Sequence, residues 1–167
     1  MGKSVAVTMR TPGDDISLAL GFLFTEGIIR ERESFLSAHH KEENTVEITV
    51  TEAVNTDLKN ADRNFYTTSS CGVCGKASIE AIKVAPASRQ PVSIHIDKTL
   101  IHQLPEKMNA IQSAFQATGG IHASALFDEN GELAMIKEDV GRHNALDKVI
   151  GAYFNENMLP LRQHVLL

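Results

Sequence analysis

Residues 118–154, TGGIHASALFDENGELAMIKEDVGRHNALDKVIGAYF, constrain the fold more than any other stretch of this chain. Gly119 and Gly120 make a turn, and IHASALF (121–127) reads as a strand. DENG (128–131) is a hairpin turn, with Gly131 at a position suited to positive φ. ELAMIK (132–137) is the partner strand, and GRHNALDKVIGAYF (141–154) has the spacing of an amphipathic helix. Strand and helix alternate through the second half of the sequence. That alternation predicts an α/β fold of three layers around a mixed sheet.

The first half is less regular. KSVAVTM (3–9) is rich in β-branched residues and reads as a strand. Pro12 and Gly13 end it, and Asp14 or Asp15 is placed to cap a helix. Apolar residues at 16, 20, 23, 24 and 28 give that helix one buried face. Gly21 inside it costs about 1 kcal/mol against alanine, which points to a close neighbour there. ESFLSAHHKEEN (33–44) reads as a polar connection, TVEITV (45–50) as a strand, and 63–68 as a short strand. Ile79 and Ile82 mark a short helix over 76–85. APASRQP (85–91) is a Pro-rich loop and the expected internal boundary, dividing an N-terminal portion, 1–85, from a core, 86–167. A strand at 92–96 and helices at 97–103 and 105–117, separated at Pro105, complete the expected elements. A final strand follows Pro160, and the chain stops at Leu167 inside an apolar run, so it reads as a fragment of a longer protein.

The net charge of −5 argues against a general nucleic-acid binder. No apolar run approaches the roughly 20 residues of a membrane helix, and residues 1–15 lack the apolar core of a signal peptide. The expected setting is a reducing, cytoplasmic one, where a cysteine pair means reactivity or metal rather than a structural bridge.

That pair is Cys71 and Cys74 in TTSSCGVCGK. Its flanks, Gly72, Gly75 and Thr67–Ser70, describe a loop rather than a core, which disfavours two inert buried thiols. A structural zinc site needs four ligands. No further cysteine exists, and histidines 39, 40, 95, 102, 122, 143 and 164 show no H-x₃₋₅-H spacing, which leaves only a site assembled from distant residues such as His122. The third chemistry is thiolate chemistry. The helix expected at 76–85 places both cysteines ahead of a positive helix end, and Lys76 adds a formal charge, so a depressed thiol pKa is expected. An ionised thiol serves a dithiol oxidoreductase or a persulfide carrier equally well.

A second constellation joins TGGIHAS (118–124) to EDVGRHNALDK (138–148). The opening of that helix, with Arg142 and His143, suits a phosphate. The bland alternative is a capped surface helix in which Asp139 caps, Arg142 pairs with Glu138, and Asp147 and Lys148 are solvated. His122 on an apolar strand is by the same standard a hydrogen-bonded core histidine. Zinc-deaminase chemistry is not supported. Ser124 stands where an H-x-E motif requires Glu, and the C-x-x-C lies upstream without its proline.

MRTPGDDISLALGFLFTEGII, SSCGVCGK, TGGIHASALF and EDVGRHNALDKVIG occur in that order. Together they closely resemble the formate dehydrogenase accessory sulfurtransferase family, the FdhD proteins. The resemblance implies a sulfur carrier that takes sulfur from a cysteine desulfurase as a cysteine persulfide. It passes that sulfur to a bis-molybdopterin guanine dinucleotide cofactor destined for formate dehydrogenase. By motif, Cys71 bears the persulfide and Cys74 supports it. The family resemblance also implies a cytidine-deaminase-like core, a homodimer, binding of the guanine nucleotide ends of the cofactor, and no permanently bound metal. Gly119, Gly120, His122, Arg142 and His143 are the expected phosphate contacts. Family members are longer at both ends. The rival readings are a zinc-stabilised binding module and a C-x-x-C dithiol oxidoreductase.

Overall fold

A computed structural model describes residues 2–54, 65–66 and 94–167, with the backbone alone at 65–66. In chain order the elements are β1 (Ala6–Val7), α1 (Asp15–Thr25), a 3-10 turn (Arg32–Ser34), β2 (Phe35–Glu42), β3 (Thr45–Val50), β4 (Phe65–Tyr66), α2 (Lys98–Ile111), α3 (Ser113–Thr118), β5 (His122–Phe127), β6 (Leu133–Asp139), α4 (Arg142–Asn155) and β7 (Val165–Leu166). Cys71, Cys74, the helix expected at 76–85, the Pro-rich loop and the boundary at 85/86 lie outside the described residues.

β5 is the centre of a three-stranded sheet in the order β6-β5-β7, with both pairings antiparallel. Its alternating side chains feed two cores. Ala125 and Phe127 pack with Leu104 and Met108 of α2. Leu126, on the opposite face, packs with Val149 and Tyr153 of α4. The sheet is therefore sandwiched between α2 and α4. Full burial of an apolar side chain such as Phe127 or Leu126 stabilises by about 1.5–3 kcal/mol relative to exposure, so this alternation fixes the register. The hairpin turn is as expected, with Gly131 at φ +73°.

α1 packs on the far side of α4. Leu20, Leu23, Ile29, Phe35, Val54 and Phe154 form a third core, covered by Ala38, Ile48 and Val50 of the β2–β3 hairpin. The two helices meet backbone to backbone. A Cβ at Gly21 would overlap the Asp147 carbonyl, and one at Gly151 would overlap the Ser17 carbonyl. Gly21 thus has the close neighbour its position predicts. The result is the expected mixed α/β fold. β1 follows Val5, which packs on the third core, and pairs with β4 in parallel, Ala6 opposite Phe65 and Val7 opposite Tyr66.

Several local expectations need correction. Residues 33–44 are not a polar connection: Phe35–Glu42 form β2, paired with β3 from Phe35↔Val50 to Glu42↔Thr45. The strand is mostly exposed, so it lacks the apolar alternation that marks a half-buried strand. Pro105 does not divide two helices, because α2 runs through it. Pro105 is exposed while Leu104 and Met108 beside it are buried, so packing on the inner face offsets the missing N–H, and solvent is available on the outer face. The break comes instead at Gln112, between α2 and α3. Residues 94–97 are not strand, and Asp97 caps α2 by accepting the Thr99 N–H at 2.7 Å. The strand expected over 3–9 is confined to Ala6–Val7.

Candidate functional site at the start of helix α4

The carboxylate of Asp139, at the end of β6, is wholly buried and organises the surroundings of the α4 N-terminus. Its Oδ2 lies 2.7 Å from the ammonium of Lys148, which is 2% exposed, and accepts the Thr11 N–H at 3.0 Å. Its Oδ1 accepts the Gly141 N–H at 2.9 Å and the Asn144 amide at 3.0 Å. All four acceptor positions of a carboxylate are thereby occupied.

The partners are satisfied as well. Lys148 donates to the Thr11 carbonyl at 2.9 Å and the Glu138 carbonyl at 3.3 Å, which with Asp139 uses its three protons. Asn144 donates its other amide proton to the Met9 carbonyl at 2.8 Å. The Thr11 hydroxyl accepts the Val140 N–H at 2.9 Å. Removing charges from water costs several kcal/mol per ion, and the pair is tolerated because no donor or acceptor goes wanting.

Two outer ion pairs extend the same seam. Arg10 grips Asp15 through two hydrogen bonds, 2.8 and 2.7 Å, and this contact raises the Arg10 pKa. Lys137 meets Asp14 at 2.7 Å. The expected caps of α1 are therefore used elsewhere. Asp14 takes the N-cap position in the left-handed region, φ +56°, without a side-chain cap bond, and its carbonyl accepts the Leu18 N–H.

The capped-surface reading of 138–148 is overturned in three respects. Glu138 does not pair with Arg142 but accepts the N–H groups of Ala114 and Phe115 at 3.0 and 2.9 Å, closing the start of α3. Asp139 bonds the Gly141 N–H ahead of α4 rather than capping the helix from its N-cap position, which Gly141 occupies. Asp147 and Lys148 are buried, not solvated. Asp147 accepts the Thr25 hydroxyl at 3.0 Å. Burial raises its pKa to about 7, the Thr25 bond opposes the rise, and Glu26 adds to it.

The residues expected to contact phosphate come together in part. His122 is exposed rather than a core histidine and stands opposite Asp139 in the β5–β6 register, three positions ahead of Arg142. Arg142 is exposed and His143 half-buried in the first turn of α4. Gly119, at φ +70°, closes α3 through its N–H to the Phe115 carbonyl, and both Gly119 and Gly120 are exposed with open space where a Cβ would stand. No group of three or more His, Cys, Asp or Glu suited to a metal occurs among the described residues. No described helix is long and apolar enough to cross a membrane. Cys71 lies outside the described residues and follows Tyr66 of β4 by five positions of sequence. Sequence reasoning missed Thr11, Asp139 and Lys148 as one unit. Only the Asn144/Lys148 spacing of four on one helix face hinted at it.

Comparison with known proteins gives the family. The FdhD/NarQ family profile matches residues 1–167. A protein of Streptomyces coelicolor named sulfur carrier protein FdhD is 43% identical over 180 residues, covering 99% of this chain and 63% of its own. Proteins of the same name from Mycolicibacterium paratuberculosis and Picrophilus torridus are 44% and 45% identical over 176 and 163 residues, with 99% and 98% of this chain and 65% and 61% of theirs covered. The chain thus spans under two thirds of the length of these relatives. The crystal structure of a protein from Desulfotalea psychrophila, described as a formate dehydrogenase accessory protein, superposes with a TM-score of 0.64 at 21% identity. The match covers 95% of this chain and 56% of that one, and it shows a shared fold.

Proposed function

This chain belongs to the FdhD/NarQ family, and on that premise we propose that it carries sulfur for the maturation of formate dehydrogenase. The observation that carries the reading is a family match running through all 167 residues and so through Cys71 and Cys74. In the proposed reaction the Cys71 thiolate attacks the outer sulfur of a persulfide on a cysteine desulfurase. The donor S–S bond breaks, its electron pair leaves with the donor thiolate, and a new S–S bond forms on Cys71. Release of that sulfur at the oxidation level of sulfide takes two electrons. A thiol that attacks the inner sulfur supplies them and ends in a disulfide, and Cys74 is the thiol at hand.

The acceptor in this reading is the molybdenum of bis-molybdopterin guanine dinucleotide, the substrate that receives the sulfur. Gly119, Gly120, His122, Arg142 and His143 are its proposed phosphate contacts. What supports them is that His122 and Arg142 are both exposed, His122 opposite Asp139 in the strand register and Arg142 three residues after Asp139. A homodimer, with the desulfurase and the dehydrogenase as transient partners, completes the proposal.

The test is intact-protein mass spectrometry after incubation with a cysteine desulfurase and cysteine. The expected result is a gain of one sulfur that Cys71→Ser abolishes and Cys74→Ala keeps, with Cys74→Ala weakening only the onward transfer. Sulfur retained in full by Cys71→Ser, or equal losses of that gain in the two variants, refutes the assignment.

A further inference from the structure

Thr11 is held by every polar atom it owns. Its N–H goes to Asp139, its carbonyl to Lys148, and its hydroxyl to the Val140 N–H. The carbonyl of Met9 is held by Asn144. These bonds span more than 120 positions of sequence and fasten an extended segment, not a core element. Val7 and Met9 beside it are 55% and 74% exposed, so apart from Val5, which packs against the α1 core ahead of β1, apolar burial does little to fix this segment. A buried, fully satisfied ionic network adds little net stability over an apolar replacement, but it tolerates only one geometry.

We propose that Asp139, Lys148 and Asn144 are positioning residues that, by clamping the backbone at 9–11, set where β1 and its partner β4 stand relative to Arg142 and His122. The clamp begins two residues after β1, and β1 carries β4 through parallel pairing at Ala6↔Phe65 and Val7↔Tyr66. β4 ends five residues before Cys71, so its placement sets where the chain to that cysteine begins. The functional half of this inference rests on the sulfur-carrier reading, and the mechanical half does not.

The experiment compares the full chain with Asn144→Ala, and with Asp139→Leu/Lys148→Met, which removes both charges together and avoids leaving one unpaired. Amide hydrogen exchange is read residue by residue, and sulfur loading of Cys71 by mass spectrometry. The expected result in Asn144→Ala is exchange at residues 6, 7, 65 and 66 accelerated about tenfold or more, with α1 and β5 amides protected as before. Sulfur loading of Cys71, which takes place at the desulfurase, stays near the wild-type level, while passage of that sulfur to the guanine-nucleotide cofactor, read as loss of the added mass, falls at least about tenfold, because small misplacements of a reacting group are costly. The double variant shows the same pattern more strongly, and if it does not fold, Asn144→Ala decides alone. Unchanged exchange at β1 and β4, or acceleration spread evenly over α1, α4 and β5, overturns the clamp. Selective loosening of β1 and β4 in a protein whose wild type takes up no sulfur upholds the clamp and refutes the carrier reading.

Discussion

Replacing Asp147 by asparagine is expected to stabilise the protein at alkaline pH and to flatten its pH profile. Asp147 is 8% exposed, and its one hydrogen-bond partner among the described side chains is the Thr25 hydroxyl. Lys148, its neighbour in sequence, is turned to Asp139 and does not compensate it, while Glu26 on the facing helix adds a like charge. The folded-state pKa is about 7, against an ordinary value of 3.8. Because the folded pKa is the higher one, the native state binds more protons than the unfolded state between these values. Stability is therefore greatest at the acid end of this window and declines as pH rises through about 7. From pH 5 to pH 7 the slope falls from about 1.4 kcal/mol per unit to half that, a decline of roughly 2.3 kcal/mol.

Asp147→Asn is uncharged at every pH and nearly the same shape. The offset at one pH mixes in the cost of placing an amide at that site, but the change of the offset with pH does not. Urea unfolding followed by circular dichroism at pH 5, 6, 7 and 8 reads it directly. The stability of the variant minus that of the wild type should rise by roughly 2–3 kcal/mol across this range. A difference that stays within about 0.5 kcal/mol from pH 5 to pH 8 refutes the reasoning, because it would mean that Asp147 titrates alike in both states.

Other substitutions probe the packing and the proposed site. Gly151→Ala drives a methyl into the Ser17 carbonyl and the Gly21 nitrogen, backbone atoms with no rotamer to yield, and should cost more than about 3 kcal/mol in denaturant unfolding. Pro105→Ala restores an N–H inside α2 and should raise stability by about 1–2 kcal/mol, less than the full helix-propensity gap because alanine also loosens the unfolded chain. Arg142→Ala should weaken binding of a guanine nucleotide by about tenfold in calorimetry on a full-length family member, the loss of one charge-assisted hydrogen bond, with the melting temperature unchanged for so exposed a side chain.

How far the fold could be read from sequence follows from the range of the forces involved. The β5–β6 hairpin was legible because its information is local, a Gly at positive φ between two strand-like runs, and so was the extent of α4; its expected amphipathic character was not borne out, because α4 lies between α1 and β5 and buries residues all round. Gly21 was legible because a glycine inside a helical pattern needs a packing reason, and the Asp147 carbonyl is that reason. β2 was not, since it is exposed along most of its length and draws its hydrogen bonds from β3. The clamp was not, because its partners lie 128 to 137 positions apart and leave no periodic trace. Asp147 and Lys148 show the failure most clearly. Adjacent opposite charges look like a solvated pair, but successive residues of a helix point about 100° apart. One consequently faces Thr25 on α1, and the other faces Thr11 and the end of β6. With both directions covered, adjacency in sequence gave neither residue access to water, and each charge had to be answered by a different part of the fold. Only Lys148 found a full answer, and that leaves Asp147 as the group whose proton is coupled to folding.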